Sequence, residues 1–432
     1  MIPKGLVILY RHGARAAVRK VFRRKEPPKG IGLAYFLLHW VHRAGRIWPW
    51  PSVKAFPLNR AAKRADEVDI VLTHGWGGGA ETYLFHKIRE APRNRAVFVV
   101  HPSESGRGCL EGTLHFRGKQ VRFIAGGLSA FDGLKGKKCR LVLNELVRWP
   151  RIGAAVGDKT AAWLADNVLG LKRRLGGEMV YLLHDYYCVC PKLTLVAPDG
   201  FYCRSEVSMA RCGECLKAPG PLELEKGNVS ISAWRRAFGR LLSECERVIA
   251  FSEDTRRRVK ACHPDLDIEV IPHEMPFLPA PVEAVRSGHP TIGVVGNLYR
   301  EKGLHVVRQL AELLWNTGRR DVSIRVVGNV PGTEKMPPNV KVSGGYDVKD
   351  LTSIVLREGI NLMFFSSVWP ETFSYVTKEL IALGLPVACF DLGAQRDHVE
   401  AYAKGAVIPE MTAESAWRTL EQLYEKEHGT CQ

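Results

Sequence analysis

Acidic residues are scarce at the start of this chain. Residues 1–65 hold one, Glu26, against 15 Lys and Arg, so this stretch carries +14 of the formal net charge of +17. The remaining 47 basic and 44 acidic residues nearly cancel. The basic character therefore belongs to an appendage, not to the body. Long apolar runs are missing too. No stretch reaches the roughly 18 uncharged apolar residues of a spanning helix. Arg11, Arg15 and Arg19 interrupt any apolar core of a secretory signal peptide. There is no internal repeat or low-complexity tract, which excludes a solenoid. No Gly-x-Gly-x-x-Gly fingerprint is present, so the dinucleotide-binding signature is lacking. Nor does an Asp-x-Asp pair end any strand. The cysteines number eleven, an odd count in a long chain. That argues against a disulfide framework and for a reducing cytosol.

What is present reads as two α/β units. A chain of 432 residues with 46% apolar content has room for two ordinary domains. Apolar runs at Val68–Leu72, Ala96–Val100, Leu141–Glu145, Met179–Leu183 and Arg247–Phe251 predict strands of a first sheet, with a hairpin over Gly112–Ile124. Runs at Thr291–Val295, Ile324–Val327, Val340–Val342, Asn361–Phe365 and Val387–Phe390 predict a second sheet. Helical stretches alternate with these strands, which argues for doubly wound parallel sheets. The proline-rich segment Pro272–Pro281 reads as an inter-domain linker.

The chain is organised around residues 368–379. Glu371 and Glu379 stand there with seven residues between them. Pro370 and Thr372 signal a helix start, Gly384 and Pro386 a stop. Phe373, Val376, Leu380 and Leu383 form an apolar stripe. Glu371 is thus expected in the turn at a strand's C-terminal edge, where open parallel sheets bind ligands. Eight helical residues rise about 12 Å. Glu371 could then hold a sugar, Glu379 a ribose, and the free N–H groups of Thr372, Phe373 and Ser374 a diphosphate between them. The plain alternative is a surface helix bearing two solvated glutamates.

This stretch resembles the Glu-x7-Glu signature of retaining glycosyltransferase family 4, which has the GT-B fold. Five further segments match that family in order: residues 75–81 (a glycine loop, whose plain alternative is a tight turn), 183–187, 251–255, 271–274 and 296–303 (a phosphate loop). The match runs from about Val68 to about Ala406. It is nearest the bacterial branch that builds O-antigen and capsule polysaccharides.

The resemblance implies two Rossmann-like domains facing a cleft. Residues 66–275 would be the acceptor side and residues 276–412 the nucleotide-sugar side. Residues 413–432 would form a C-terminal helix returning to the first domain. It further implies a hexosyltransferase that is retaining and uses no catalytic metal. His184 would contact the donor sugar beside the reacting carbon. Otherwise it is an ordinary satisfied loop histidine. Lys302 would grip the leaving diphosphate. Gly78 and Gly79 would approach the donor closely. Asn297 stands where the family usually has an arginine, and Arg300 is expected to replace that contact.

Two features fall outside the family's common plan. Residues 186–218 form a Cys-rich insertion with Cys188, Cys190, Cys203, Cys212 and Cys215 within 28 residues. Cys212–Cys215 is a Cys-x2-Cys knuckle, half of a structural zinc site. Cys190 and Cys203 are the best candidates for the other half. Free thiols or a redox pair are the alternatives. The second feature is the basic arm, in which Trp40, Trp48, Trp50, Phe36 and Leu37 interleave with Lys and Arg. This pattern suits a helix lying in an anionic membrane interface. Packing on the body or on a partner, such as another polysaccharide-assembly enzyme, is the alternative. Nucleic-acid binding accounts for the charge but not for the aromatic residues. The expected acceptor is a lipid-linked glycan at the inner face of the cytoplasmic membrane. A sugar-nucleotide epimerase and a zinc-containing nucleic-acid-binding protein are the rivals.

Overall fold

A computed structural model of the chain describes residues 64–429, apart from 104–107, 154, 156, 205–207, 218–228, 283–287 and 333–334. The basic arm lies outside the described residues.

The first sheet has eight strands. They are β1 (Glu67–Leu72), β2 (Arg95–Pro102), β3 (Leu110–Phe116), β4 (Lys119–Ala125), β5 (Lys138–Leu143), β6 (Glu178–Leu182), β7 (Arg247–Ala250) and β8 (Glu269–Val270). Their order is β4-β3-β2-β1-β5-β6-β7-β8. All pairs are parallel except β2 with β3 and β3 with β4, where the expected hairpin sits. The central strand β1 is buried on both faces from Val68 to Leu72, as an apolar run in a parallel sheet should be.

Helices α1 (Gly79–Glu90), α2 (Lys159–Leu175), α3 (Met209–Lys217), α4 (Ile231–Ser243) and α5 (Glu253–Cys262) accompany this sheet. Ser230 and Ser252 cap α4 and α5 by accepting from backbone N–H groups three residues on.

The second sheet is wholly parallel. It comprises β9 (Thr291–Val295), β10 (Ser323–Val327), β11 (Val340–Val342), β12 (Leu362–Phe365), β13 (Val387–Phe390) and β14 (Gly405–Ile408). Their order is β11-β10-β9-β12-β13-β14. Helices α6 (Leu304–Asn316), α7 (Leu351–Arg357), α8 (Tyr375–Ala382), α9 (Gly393–Glu400) and α10 (Ala413–His428) accompany it.

In each sheet the winding reverses at one place: between β1 and β5 in the first, between β9 and β12 in the second. Such switch points leave a crevice at the strands' C-terminal edge.

Two expectations need correction. The last helix does not return to the first domain. Ala413, Ala416, Leu420, Leu423 and Tyr424 of α10 are buried in the second domain's core, beside Val307 and Leu310 of α6. The apolar stripe finds its complement there, and His428 reaches the Asn361 carbonyl at 3.4 Å. The helix after Glu371 also starts later than its cap signals suggest. It opens at Tyr375, behind a left-handed Ser374 with φ 65°. Among the described residues, no helix is long and apolar enough to cross a membrane.

Candidate functional site

The site is built at the second sheet's switch point. The loop after β9 carries Lys302 and the loop after β12 carries Glu371. Their side chains form an ion pair. Backbone geometry forces them together. Val368 N–H donates to the Glu301 carbonyl at 3.0 Å, and Ser366 Oγ donates to the Lys302 carbonyl at 2.7 Å. Gly303, with φ 81°, lies so close that a Cβ would meet the Ser366 carbonyl oxygen at 1.9 Å. Only glycine fits there. Behind Glu371, the fully buried Gln395 accepts from the Glu371 N–H at 3.0 Å and donates to the Trp369 carbonyl at 2.8 Å. The Lys302 ammonium also stands 5.6 Å over the Trp369 ring. A cation and a buried carboxylate are thus fixed side by side at a ligand-binding edge.

Glu379 lies one turn into α8 and is 7% exposed. Its Oε2 is buried without a hydrogen-bond partner among the described residues. Burial pushes its carboxyl up to about 7, and the Tyr346 and Tyr375 rings feel its charge. A buried acceptor left unpaired costs free energy. A ligand with paired hydroxyls would remove that cost.

The side chains of Thr372, Phe373 and Ser374, whose backbone N–H groups were expected to cradle an anion, are engaged elsewhere. These residues precede the helix and are used to join the domains. Thr372 Oγ1 donates to the His184 carbonyl at 3.0 Å. Thr255 Oγ1 reaches the Thr372 carbonyl at 3.4 Å. Phe373 inserts among Val180, Leu182, Ile249 and Phe251 of the first domain. Ser374 Oγ pairs with Thr377 Oγ1 at 2.7 Å. Tertiary bonds thereby overrule the local helix signal.

On the first domain His184 follows β6, buried and stacked on Phe251 at 4.5 Å. Its Nε2 lies 3.1 Å from Asn144 Oδ1. Burial, with His273 and His74 nearby, holds its pKa well below the usual histidine range, so the imidazole is neutral. Gly78 immediately precedes α1 and Gly79 is its first residue, with the Tyr375 ring 3.0 Å from where a Gly79 Cβ would sit.

Asn297 and Arg300 are turned aside. The Asn297 carboxamide oxygen accepts from Asn329 Nδ2 at 3.0 Å. The Arg300 guanidinium donates to the Pro198 carbonyl of the insertion.

Three groups were not singled out by the sequence. At the first sheet's switch point, His74 after β1 meets Glu145 after β5 at 2.8 Å. Trp76, half exposed, stacks on His74 at 4.9 Å. His273 lies among Tyr83, Phe251 and Phe373, its two ring nitrogens buried and without hydrogen-bond partners among the described residues. Position was the available signal for the first pair, since Glu145 ends the predicted run Leu141–Glu145 and His74 stands two residues beyond Val68–Leu72.

The cysteines of the insertion converge. Cys190 is partly buried, within electrostatic reach of Cys203, Cys212 and Cys215. The Cys-x2-Cys pair lies on α3 instead of in a loop. Cys188 is fully buried in the first core.

Residues 280–431 match the family model "Glycosyl transferases group 1". No curated protein matches the chain in sequence. Among solved structures it is similar to sucrose-phosphate synthase from Thermosynechococcus elongatus. Identity is 14%, coverage 85% of this chain and 92% of that one, and the TM-score 0.53. It is also similar to Anabaena HepE in complex with UDP and glucose, at 14% identity, 84% and 91% coverage and a TM-score of 0.49. A third likeness is to the lipopolysaccharide outer core galactosyltransferase WaaB, at 12% identity, 84% and 91% coverage and a TM-score of 0.46. The likeness to sucrose-phosphate synthase concerns the fold, which is GT-B.

Proposed function

From a GT-B fold whose second domain matches group 1 glycosyl transferases, we propose that this chain transfers a sugar from a nucleoside diphosphate donor to an acceptor, with retention of configuration. One observation carries the reading. Lys302 and Glu371 are fixed together at the second sheet's switch point, and the Glu379 carboxyl, its Oε2 without a hydrogen-bond partner among the described residues, lies on the helix that follows. A nucleotide sugar asks for those three chemistries: a cation for diphosphate, and a carboxylate each for sugar and ribose hydroxyls.

Lys302 is positioned to stabilise negative charge developing on the leaving phosphate. Glu371 would accept hydrogen bonds from the transferred sugar, and Glu379 from the ribose. His184, neutral and held by Asn144, can contact the sugar without adding charge. The oxocarbenium-like transition state of glycosyl transfer is then flanked by carboxylate and phosphate. In a front-side displacement the leaving phosphate takes the acceptor's proton, and neither a protein nucleophile nor a catalytic metal is assigned.

Trp76, His74 and Glu145 offer a stacking face and a polar pair for an acceptor sugar on the first domain. The acceptor we infer is a growing, lipid-linked bacterial surface polysaccharide of the O-antigen or capsule type. The basic arm would hold the enzyme on the inner face of the cytoplasmic membrane, beside other assembly enzymes. Nucleic acid has no place in this reading.

The test is nucleotide release from a panel of UDP-, GDP-, ADP- and TDP-sugars, with and without glycan acceptors. Release of nucleoside diphosphate with glycosylated product is the expected result. An altered nucleotide sugar without acceptor use would replace transfer by epimerisation. No turnover and no nucleotide binding would overturn the reading.

A further inference from the structure

The insertion bridges the two domains, and its two ends have different chemistry. At the tip, residues 195–203 form a small hairpin. Ala197 N–H donates to the Phe201 carbonyl at 2.8 Å, and Cys203 N–H to the Leu195 carbonyl at 2.9 Å. Its turn, Pro198–Gly200, rests on the donor domain. The Pro198 carbonyl accepts from the Arg300 guanidinium. Gly200, with φ 96°, brings its backbone so close that a Cβ would lie 2.9 Å from Arg300 Nε. Phe201 meets the His305 ring edge-on at 4.7 Å, and Phe201 and Tyr202 pack against the second domain's core. Arg300 and His305 flank Lys302 on the phosphate loop and at the start of α6. The hairpin tip therefore braces the segment that carries the proposed diphosphate contact.

At the base of the same hairpin stands Cys203, beside Cys190, Cys212 and Cys215. Two buried cations converge on these thiols. Lys192, 8% exposed, donates to the Cys215 carbonyl at 2.8 Å and approaches Cys215 Sγ at 3.5 Å. It makes no ion pair among the described residues. Arg235, also 8% exposed, donates to the Val189 carbonyl at 3.1 Å and approaches Cys212 Sγ at 3.6 Å. Burying an ammonium without a negative partner is costly, and neutral thiols do not supply one. Thiolates do. A divalent ion with four thiolates carries net charge −2, which gives the Lys192 ammonium a negative partner.

We propose that Cys190, Cys203, Cys212 and Cys215 bind one zinc-class divalent cation, and that this ion fixes the hairpin whose tip seats Arg300. No three of the thiols lie within 4.8 Å of one another, so coordination requires them to close in. Four S–H bonds break as four metal–sulfur bonds form, and the protons leave to the buffer. The ion performs no chemistry on the sugar. It couples a tetrathiolate site on one domain to the phosphate loop of the other.

The test uses full-length protein. Elemental analysis should find one zinc per chain. Replacing it with cobalt should give thiolate-to-metal charge transfer and tetrahedral ligand-field bands, a readout that needs no variant. Cys212→Ser should lose the ion and Cys262→Ser should keep it. Lys192→Met should weaken metal affinity about 10–100-fold, as loss of an outer-shell partner does.

Coupling is read with UDP and GDP as probes and rests on the functional reading above. Stripping the metal should weaken whichever binds by about 5-fold or more, and by reciprocity the nucleotide should slow metal loss to a chelator. Arg300→Ala should weaken the nucleotide while keeping the metal, and stripping should then add little.

A folded, active protein without metal, or cobalt bound without thiolate bands, overturns the site. Metal present with unchanged UDP and GDP affinity after stripping overturns the coupling. Failure of both nucleotides to bind the metal-loaded protein overturns the functional reading instead, and the metal result stands apart from it.

Discussion

Replacing Glu379 with Gln should flatten the dependence of stability on pH. The carboxyl is buried and its pKa rises from the ordinary 4.5 to about 7. Below 4.5 it is protonated in both folded and unfolded chains and has no effect. Between 4.5 and 7 the folded state holds a proton that the unfolded state has released, so folding weakens as pH climbs. Each pH unit across that gap is worth about 1.4 kcal/mol. From pH 5 to 8 Glu379 alone therefore removes about 3 kcal/mol, or about 6–12 °C in the melting of a domain this size. Asp185 and Asp254, raised by burial to about 7 and about 6, slope the same way in both proteins and cancel in the comparison. Thermal melts of wild type and Glu379→Gln at pH 5 and 8 give the difference directly. The variant should lose less than wild type over that range. Parallel curves would refute the argument, because they would mean that the carboxyl is hydrated. The same group gives a binding signature. Ribose hydroxyls donate to the ionised form, so nucleoside diphosphate affinity should rise with pH through 7. A 2′,3′-dideoxy analogue should lose that rise.

Lys302→Ala should lower turnover by about 10²–10³, the usual loss when one charge-stabilising group is removed. Initial rates of nucleotide release check it, and a full-rate variant would remove Lys302 from the chemistry. Glu371→Gln should also lose turnover, yet bind free nucleoside diphosphate at least as well as wild type, since it releases the Lys302 ammonium. Calorimetric titration separates the two effects. Phe373→Ala should cost about 3 kcal/mol, near the lower bound for emptying a buried aromatic site. The loss should show as faster proteolysis between the domains and not as unfolding of either sheet. Deleting residues 1–60 should leave nucleotide binding intact and abolish salt-sensitive co-sedimentation with anionic vesicles. Equal sedimentation of both forms would show that the arm is not the anchor.

Much of this architecture was legible because parallel strands announce themselves. Val68–Leu72 and Val387–Phe390 are short apolar runs buried on both faces, and both are strands. Glu371 also falls in the loop after β12, as its sequence context predicted. The local details there were not legible, because long-range bonds decide them. Thr372 and Phe373 carry helix-start and helix-stripe signals but are drawn to His184 and Phe251, far away in sequence. The onset of α8 shifts to Tyr375 as a result. Arg300 looked like a spare phosphate ligand, and its occupation by Pro198 depends on an insertion a hundred residues earlier. The last helix was assigned to the wrong domain because an apolar stripe specifies that a face is buried, but not against what. The meeting of His74 with Glu145 needs the strand order, and no periodicity encodes that.

The pairing of Lys302 with Glu371 works like an exchange resin stored in its counter-ion form. The lysine's charge is already compensated by the carboxylate of Glu371, whose backbone N–H is held by Gln395. A chloride ion or a single phosphate must displace that tethered carboxylate to gain the lysine, and it brings little charge to the exchange. On the proposed function, a diphosphate would bring adjacent charges, and the sugar attached to it would bring hydroxyls that re-employ the displaced carboxylate. Small anions would thus be selected against relative to such a substrate. The loading of such a site should respond to ligand valence far more steeply than to ionic strength.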